Sequence, residues 1–363
     1  MHSLQLNTDC EGPLVLNDNA FELCREFLPL DGGRFFTQVS RYDDYLADIA
    51  RRPGYKAGDT LKLILPFLKL AGLTNAQVAE YSRNHLTLVP GAEEAYRFLH
   101  SLELPLYMVS ASYRPFAEAV AARLGFAPDC LYCTELDLDG YILAEKEAQE
   151  LRRFLEEILA APTLELPSEA KAPEDLPPKT RESIRIFDRI FWDLIPRLSI
   201  GRICEETNTM GGPEKVRALE LSLAQTGLTF SQVMYVGDSI TDVPALEKVR
   251  SKGGLAVSFN GNRYAVEAAE VMVVADTAWP VPLLVAVFRE WGKEGVVELA
   301  RSTGPGGSRY LVLPEAVIEP IARGLQGSTF NLYHRHTSRR EEVFADSLAM
   351  RRRLRGEAIA LLG

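Results

Sequence analysis

Cysteine is scarce, with five residues in 363. An odd count in a long chain suits reduced thiols and a cytoplasmic setting better than a disulfide framework. Long apolar runs are missing as well, and none approaches the ~18 residues of a membrane span. The opening Met-His-Ser-Leu-Gln-Leu-Asn-Thr-Asp has neither the basic region nor the apolar stretch of a signal peptide. Positive charge is in deficit, and the net charge of −10 argues against broad nucleic-acid binding and against an anionic membrane surface. Metal-binding spacings of histidine and cysteine are absent too. Cys130 and Cys133 form a single Cys-x-x-Cys with no second pair, so apolar packing is the expected role. His334 and His336, two apart on a polar stretch, are expected to be solvated rather than metal ligands.

What is present is an ordinary globular composition, 47% apolar and 25% charged, in a chain long enough for two or three domains. The most informative stretch is Met234-Tyr-Val-Gly-Asp-Ser-Ile-Thr-Asp242. Residues 233–236 form a short apolar run, as in a parallel strand buried on both faces. Gly237 lets the chain turn where the strand ends, which leaves Asp238 and Asp242 at the carboxyl edge where open α/β sheets bind ligands. Two neighbouring carboxylates call for a cation or a proton between them, and a hard ion such as Mg²⁺ suits oxygen donors. The simpler alternative is a surface turn with Asp242 capping the next helix.

Taken in order, residues 4–8 are a weak strand candidate, interrupted by Gln5 and Asn7, followed by Asp9-Cys10-Glu11-Gly12-Pro13. Residues 17–90 read as helical, with a capping box at Thr74 and Gln77. Residues 104–109 form a strand ending in Ser110-Ala111-Ser112, and the helix after it starts near Pro115 and stops at Gly125. A strand at 131–134 leads into Asp137-Leu-Asp-Gly-Tyr141, read as a hairpin turn. A charged amphipathic helix spans 144–160, a proline-rich tether 161–180, and an apolar helix near Trp192 packs on a core or on a partner chain. Gly211-Gly-Pro-Glu-Lys215 opens another helix that Gly227 ends. Lys215 lies in its first turn, where a cation opposes the helix dipole and suggests a nearby anion. One helix and one strand separate Lys215 from Asp238, so both can face the same end of the sheet. Strands at 255–259 and 271–274 follow. From about 301 the pattern gives a glycine-rich turn at 304–307 and two or three helices. Arg351, Arg352, Arg353 and Arg355 form a basic patch there, read as a solvated face or an oligomer contact.

The order Asp9-x-Glu11, Ser110, Lys215, Gly237-Asp238-x-x-x-Asp242, each acid or hydroxyl following a strand, resembles the haloacid-dehalogenase (HAD) superfamily of phosphotransferases, its phosphoserine-phosphatase-like branch in particular. Residues 9–14 and 16–23 are also similar to an archaeal group named for subunit R of an energy-converting hydrogenase, a name that implies no activity. The resemblance implies an α/β fold: a doubly wound, mostly parallel Rossmann-like core formed by 1–16, 91–143 and 201–300. It also implies a helical cap at 17–90, beside a helical insertion with its tether at 144–200 and a helical extension at 301–363. It implies a phosphomonoesterase in which Asp9 attacks phosphorus and Glu11 serves as acid and then base. Mg²⁺ would be held by Asp9, the Glu11 carbonyl and Asp238, while Ser110 and Lys215 bind the phosphoryl oxygens and Asp242 supports them. The substrate would be a small phosphorylated metabolite. The family's phosphatases usually carry Asp where this chain has Glu11. That departure keeps a second expectation open: a catalytically weak regulatory subunit that binds a phosphorylated ligand or a partner protein, with a homo-oligomer as a further possibility.

Overall fold

The computed structural model describes residues 3–167, 169–302 and 313–360. The glycine-rich stretch 304–307 lies outside them. Seven strands form one sheet: β1 (Gln5–Thr8), β2 (Leu106–Tyr113), β3 (Leu131–Thr134), β4 (Val233–Gly237), β5 (Leu255–Phe259), β6 (Val271–Ala275) and β7 (Phe330–His334). Their order is β3-β2-β1-β4-β5-β6-β7, and every pairing is parallel except β6 with β7. The chain therefore winds outward from β1 in one direction, then returns to β4 and winds outward in the other. The switch point lies between β1 and β4, whose register pairs Thr8 with Val236. Ligands of doubly wound sheets bind in the crevice at this point, and Asp9 and Asp238 are the first residues beyond the two strands.

Both faces of the sheet are covered, which is why strands such as β4 and β6 lack polar alternation. The helices Ala92–Ser101, Arg114–Leu124 and Pro280–Ser302 pack one face through residues such as Tyr96, Phe116 and Leu284, against Leu6, Met108 and Val236. Pro213–Thr226 and Val243–Ser251 cover the other face against Val233 and Tyr235. Gln5 and Asn7 are polar because they point toward Pro213–Thr226. There both donate to Ser222 Oγ, at 2.7 and 3.1 Å, and Thr226 donates to Gln5 Oε1 at 2.8 Å. A buried amide is tolerated when its hydrogen bonds are made.

A second hydrophobic body stands over the carboxyl edge. Its residues come from both 20–81 and 138–203, including Phe35, Phe67, Phe154, Phe187 and Phe191. The amphipathic helix Glu145–Ala160 and the apolar stretch around Phe191 thus pack on the helices of 19–84. Residues 161–180 are not a free tether, since Leu164 and Leu176 are buried in the same cluster.

Four further expectations are corrected. Asp137–Tyr141 is a turn, closed by Gly140 N–H on Asp137 Oδ1 at 2.8 Å, but no hairpin partner follows because β3 is the parallel edge of the sheet. The segment after 313 is not purely helical, for it supplies β7. His334 is not solvated: it is 4% exposed and its Nε2 meets Glu270 at 3.2 Å, a carboxylate shared with Lys293 at 3.1 Å. Burial holds the His334 imidazole below its ordinary pKa. Arg351 and Arg355 are not a solvated face, as shown below. No helix among the described residues is long and apolar enough to cross a membrane.

Candidate active site

Where β1 stops, the backbone presents Asp9, whose Oδ1 accepts from Cys10 N–H at 2.7 Å and whose Oδ2 lies 2.8 Å from Lys215 Nζ. Where β4 stops, Gly237 is needed for space rather than for a left-handed turn, because a Cβ there would sit 2.4 Å from Asp242 Cγ. Gly12 is needed on both counts: its φ is +97° and a Cβ would lie 2.3 Å from Asp238 Oδ2. The two glycines thus let the loops after β1 and β4 close on each other. One carboxylate oxygen each from Asp9, Asp238 and Asp242 then fall within 4.8 Å of one another, all three side chains buried.

The three acids differ in what they already hold. Asp242 is saturated: its Oδ1 takes Lys215 Nζ and the Tyr235 hydroxyl, both at 2.7 Å, and its Oδ2 takes the amides of Asp238 and Ser239 at 3.0 Å. Burial pushes its carboxyl up, but Lys215 and the Tyr235 hydroxyl outweigh that and keep it below the usual aspartate range. Lys215 is likewise buried, which disfavours its charge, yet Asp242 and Asp9 hold the ammonium above its ordinary value. Asp9 is raised by burial, then by Asp242 and Asp238, with Lys215 acting in the opposite sense. A second cation beside Asp9 would complete what Lys215 begins. Cys10 is a neutral thiol, because burial and the adjacent Glu11 and Asp9 push it up, so it offers no nucleophile.

Glu11 faces the same cavity from the loop after β1. Its Oε1 accepts Asn19 N–H at 2.9 Å, at the start of helix Asn19–Phe27, which Asp18 caps through Phe21 N–H. Burial first, and then Asp18, push Glu11 up to about 8. The carboxyl therefore keeps its proton near neutrality and can donate it. The longer side chain has a local reason: it reaches a helix start whose amide it satisfies.

Ser110 is fully buried near the end of β2, its Oγ accepting Ser112 N–H at 3.1 Å. It does not line the cavity, whose wall at this strand is Ala111. Asp9, Glu11, Asp18, Asp238 and Thr241 form the sheet side of the cavity, and Phe36, Ser40 and Thr60 the helical side.

Two further wall residues come from the last helix, Arg340–Ala360. Arg351 Nη1 donates to Asp238 Oδ2 at 2.6 Å and to Asn260 O at 3.1 Å. Arg355 Nη1 reaches the same Asp238 oxygen at 3.2 Å. Asn260 has a left-handed φ of 46°, a conformation asparagine tolerates, which its side chain fixes through two bonds to the Ala275 backbone. The signal for these arginines lies in helical spacing. Val343, Ser347, Met350 and Arg351 are all buried, so Arg351 continues the inward stripe of the helix rather than leaving it.

The donor set fits a divalent cation on its chemistry: hard carboxylate oxygens from Asp9 and Asp238, convergent and buried. Asp242 has its oxygens committed to Lys215, Tyr235 and two amides, and is better suited to hold Lys215 than to ligate.

Fold and site together define a doubly wound α/β protein with an acid–lysine centre at its switch point, overhung by a helical body. The chain belongs to the family of gene product AF1437 from Archaeoglobus fulgidus, to whose structure it is 31% identical, over 100% of this chain and 99% of that one, with a TM-score of 0.79. A phosphoserine phosphatase solved as a phospho-aspartyl intermediate analogue is 15% identical over 75% of this chain and 93% of its own, with a TM-score of 0.46. A HAD family hydrolase, t0658 from Salmonella enterica subsp. enterica serovar Typhi, is 12% identical over 73% and 66%, with a TM-score of 0.43. Comparison with protein-family models gives no match, and neither does comparison with the curated proteins.

Proposed function

We propose that the protein is a phosphomonoester hydrolase of the HAD type, working through an aspartyl-phosphate on Asp9. The observation that carries this reading is the convergence of Asp9, Asp238 and Asp242, with Lys215 bonded to Asp9 and Asp242 and Glu11 on the same cavity. Asp9 Oδ attacks phosphorus and the bond to the ester oxygen breaks. The departing oxygen takes the proton of Glu11. Water then attacks the phosphoryl group, giving a proton back to Glu11 and releasing phosphate with the Asp9 carboxylate restored. Lys215 stands 2.8 Å from Asp9 and offsets charge that builds on the phosphoryl oxygens, while Asp242 holds it in place. Asp9 and Asp238, with the Glu11 carbonyl, would hold Mg²⁺, which when bound supplies neutralising charge for an anionic substrate. The helical body would serve as a cap that excludes water and reads the leaving group. The acid-lined wall with Ser40 and Thr60 leaves room for a small polar metabolite.

The direct experiment is hydrolysis of an aryl phosphate by the full chain. Turnover should require Mg²⁺, vanish with EDTA and return on re-addition. Absent turnover together with tight binding of a phosphorylated ligand would favour the regulatory reading instead.

Glu11→Asp, which restores the residue common in the resembling family, is expected to lower kcat rather than raise it. The shorter side chain withdraws the carboxyl by about one bond and gives up Asn19 N–H, and misplacement near 1 Å costs on the order of 10²-fold. Equal or faster steady-state turnover in the variant would show that the local geometry is not built around glutamate.

A further inference from the structure

The last helix carries charge into the centre. Arg351 is 3% exposed, and besides Asp238 Oδ2 and Asn260 O its Nε donates to Ala360 O at 3.3 Å. Arg355 donates to Leu16 O at 3.0 Å and Asn17 O at 2.8 Å, in the loop after β1. Ser347 Oγ fixes the same face of the helix to Gly261 O at 2.6 Å. The helix breaks at Gly356, whose φ is 79° and ψ 165°. Beyond the break Ile359 joins the hydrophobic cluster of the helical body and lines the cavity. One segment therefore touches Asp238, the β1 loop and the helical body at once.

Three buried carboxylates, Asp9, Asp238 and Asp242, with Asp18 on the same cavity wall, face three cations, Lys215, Arg351 and Arg355. The two guanidiniums together bring the same charge as one divalent ion, and both rest on Asp238 Oδ2. A magnesium ion bound to Asp238 at ~2.0–2.1 Å would sit beside two guanidiniums already on that carboxylate, and cations so close repel. We propose that Arg351 and Arg355 are a built-in counter-cation of this site. A divalent ion and the last helix compete for Asp238, so that metal loading and release of the helix are one equilibrium. The inference rests on the assignment of Asp238 as a cation ligand. Linkage makes the competition reciprocal: whatever the arginines subtract from metal affinity, the metal subtracts from the hold on the helix.

The test is a Mn²⁺ titration of the full chain, read by the EPR signal of the free ion, in wild type and in Arg351→Gln/Arg355→Gln. The variant should bind tighter by roughly 5- to 150-fold, the usual span of coupling between two sites. Arg351→Lys/Arg355→Lys, which keeps the charge, should stay near wild type. A second measurement needs no variant: amide exchange across 340–360 in the wild-type protein should quicken when Mg²⁺ is saturating. Tight Mn²⁺ binding that Asp238→Asn abolishes but the glutamine pair leaves unmoved, or unchanged exchange in the presence of bound metal, overturns this inference and leaves the catalytic reading standing. Failure of every form to bind Mn²⁺ overturns both.

Discussion

Asp9→Asn is expected to lower turnover of an aryl phosphate by on the order of 10⁴-fold or more, the scale seen when the member of a catalytic set that forms the covalent bond is removed. The amide keeps the shape of the carboxylate and can still accept Cys10 N–H, so the fold should survive. It lacks the anionic oxygen that bonds to phosphorus. The decisive measurement is covalent: rapid quenching of wild type with radiolabelled substrate should trap phosphoryl label on the protein, and the variant should trap none. Label of equal amount on the variant, or turnover within about tenfold of wild type, would remove Asp9 from its assigned role and with it the two-step mechanism.

The second large effect is on stability. Lys215 is fully buried and lies 2.8 Å from Asp9 and 2.7 Å from Asp242. Lys215→Met fills the volume with an apolar chain but leaves two buried carboxylates without their common cation. Breaking a buried ion pair by deleting one partner costs about 3–5 kcal/mol, and denaturant unfolding of the variant should show a loss of that size with the slope unchanged. Lys215→Arg is not a substitute, since a planar guanidinium needs more room than the ammonium between Asp9 and Asp242. A loss below about 1 kcal/mol in the methionine variant would mean that the acids relax or take up protons at little cost.

Much of this architecture can be read from the chain because parallel strands buried on both faces are short apolar runs with little else to imitate. The runs at 131–134, 233–236, 255–259 and 271–274 coincide with β3 to β6 or fall one residue short. β1 is weaker in the sequence because Gln5 and Asn7 are polar, and only the opposing Ser222 and Thr226 explain how they can be buried. β7 escapes notice because Asn331 and His334 break its pattern, and because His334 finds a carboxylate, Glu270, that lies 64 residues away. The acids of the site stand out since Asp9 and Asp238 directly follow strands, and Glu11 and Asp242 follow within the same loops. What could not be read is which atoms are already taken. Nothing in the spacing reveals that Asp242 is saturated, that Glu11 reaches Asn19 N–H, or that Ser110 turns its hydroxyl to Ser112. Arg351 hides for another reason: three arginines in a row suggest solvent, and its partner Asp238 is 113 residues distant.

The helical body is made chiefly from two separated parts of the chain that share one hydrophobic cluster, which Tyr113 and Ile359 join from outside. Among the described residues it is therefore fastened to the sheet by four backbone crossings, near 17, 87, 140 and 210, instead of the two that a single inserted block would have. A lid on two adjacent strings can swing wide, whereas one on four is restricted to rocking. Admission of a ligand should accordingly depend on small tilts of this body and on the last helix sliding aside, rather than on a wide opening.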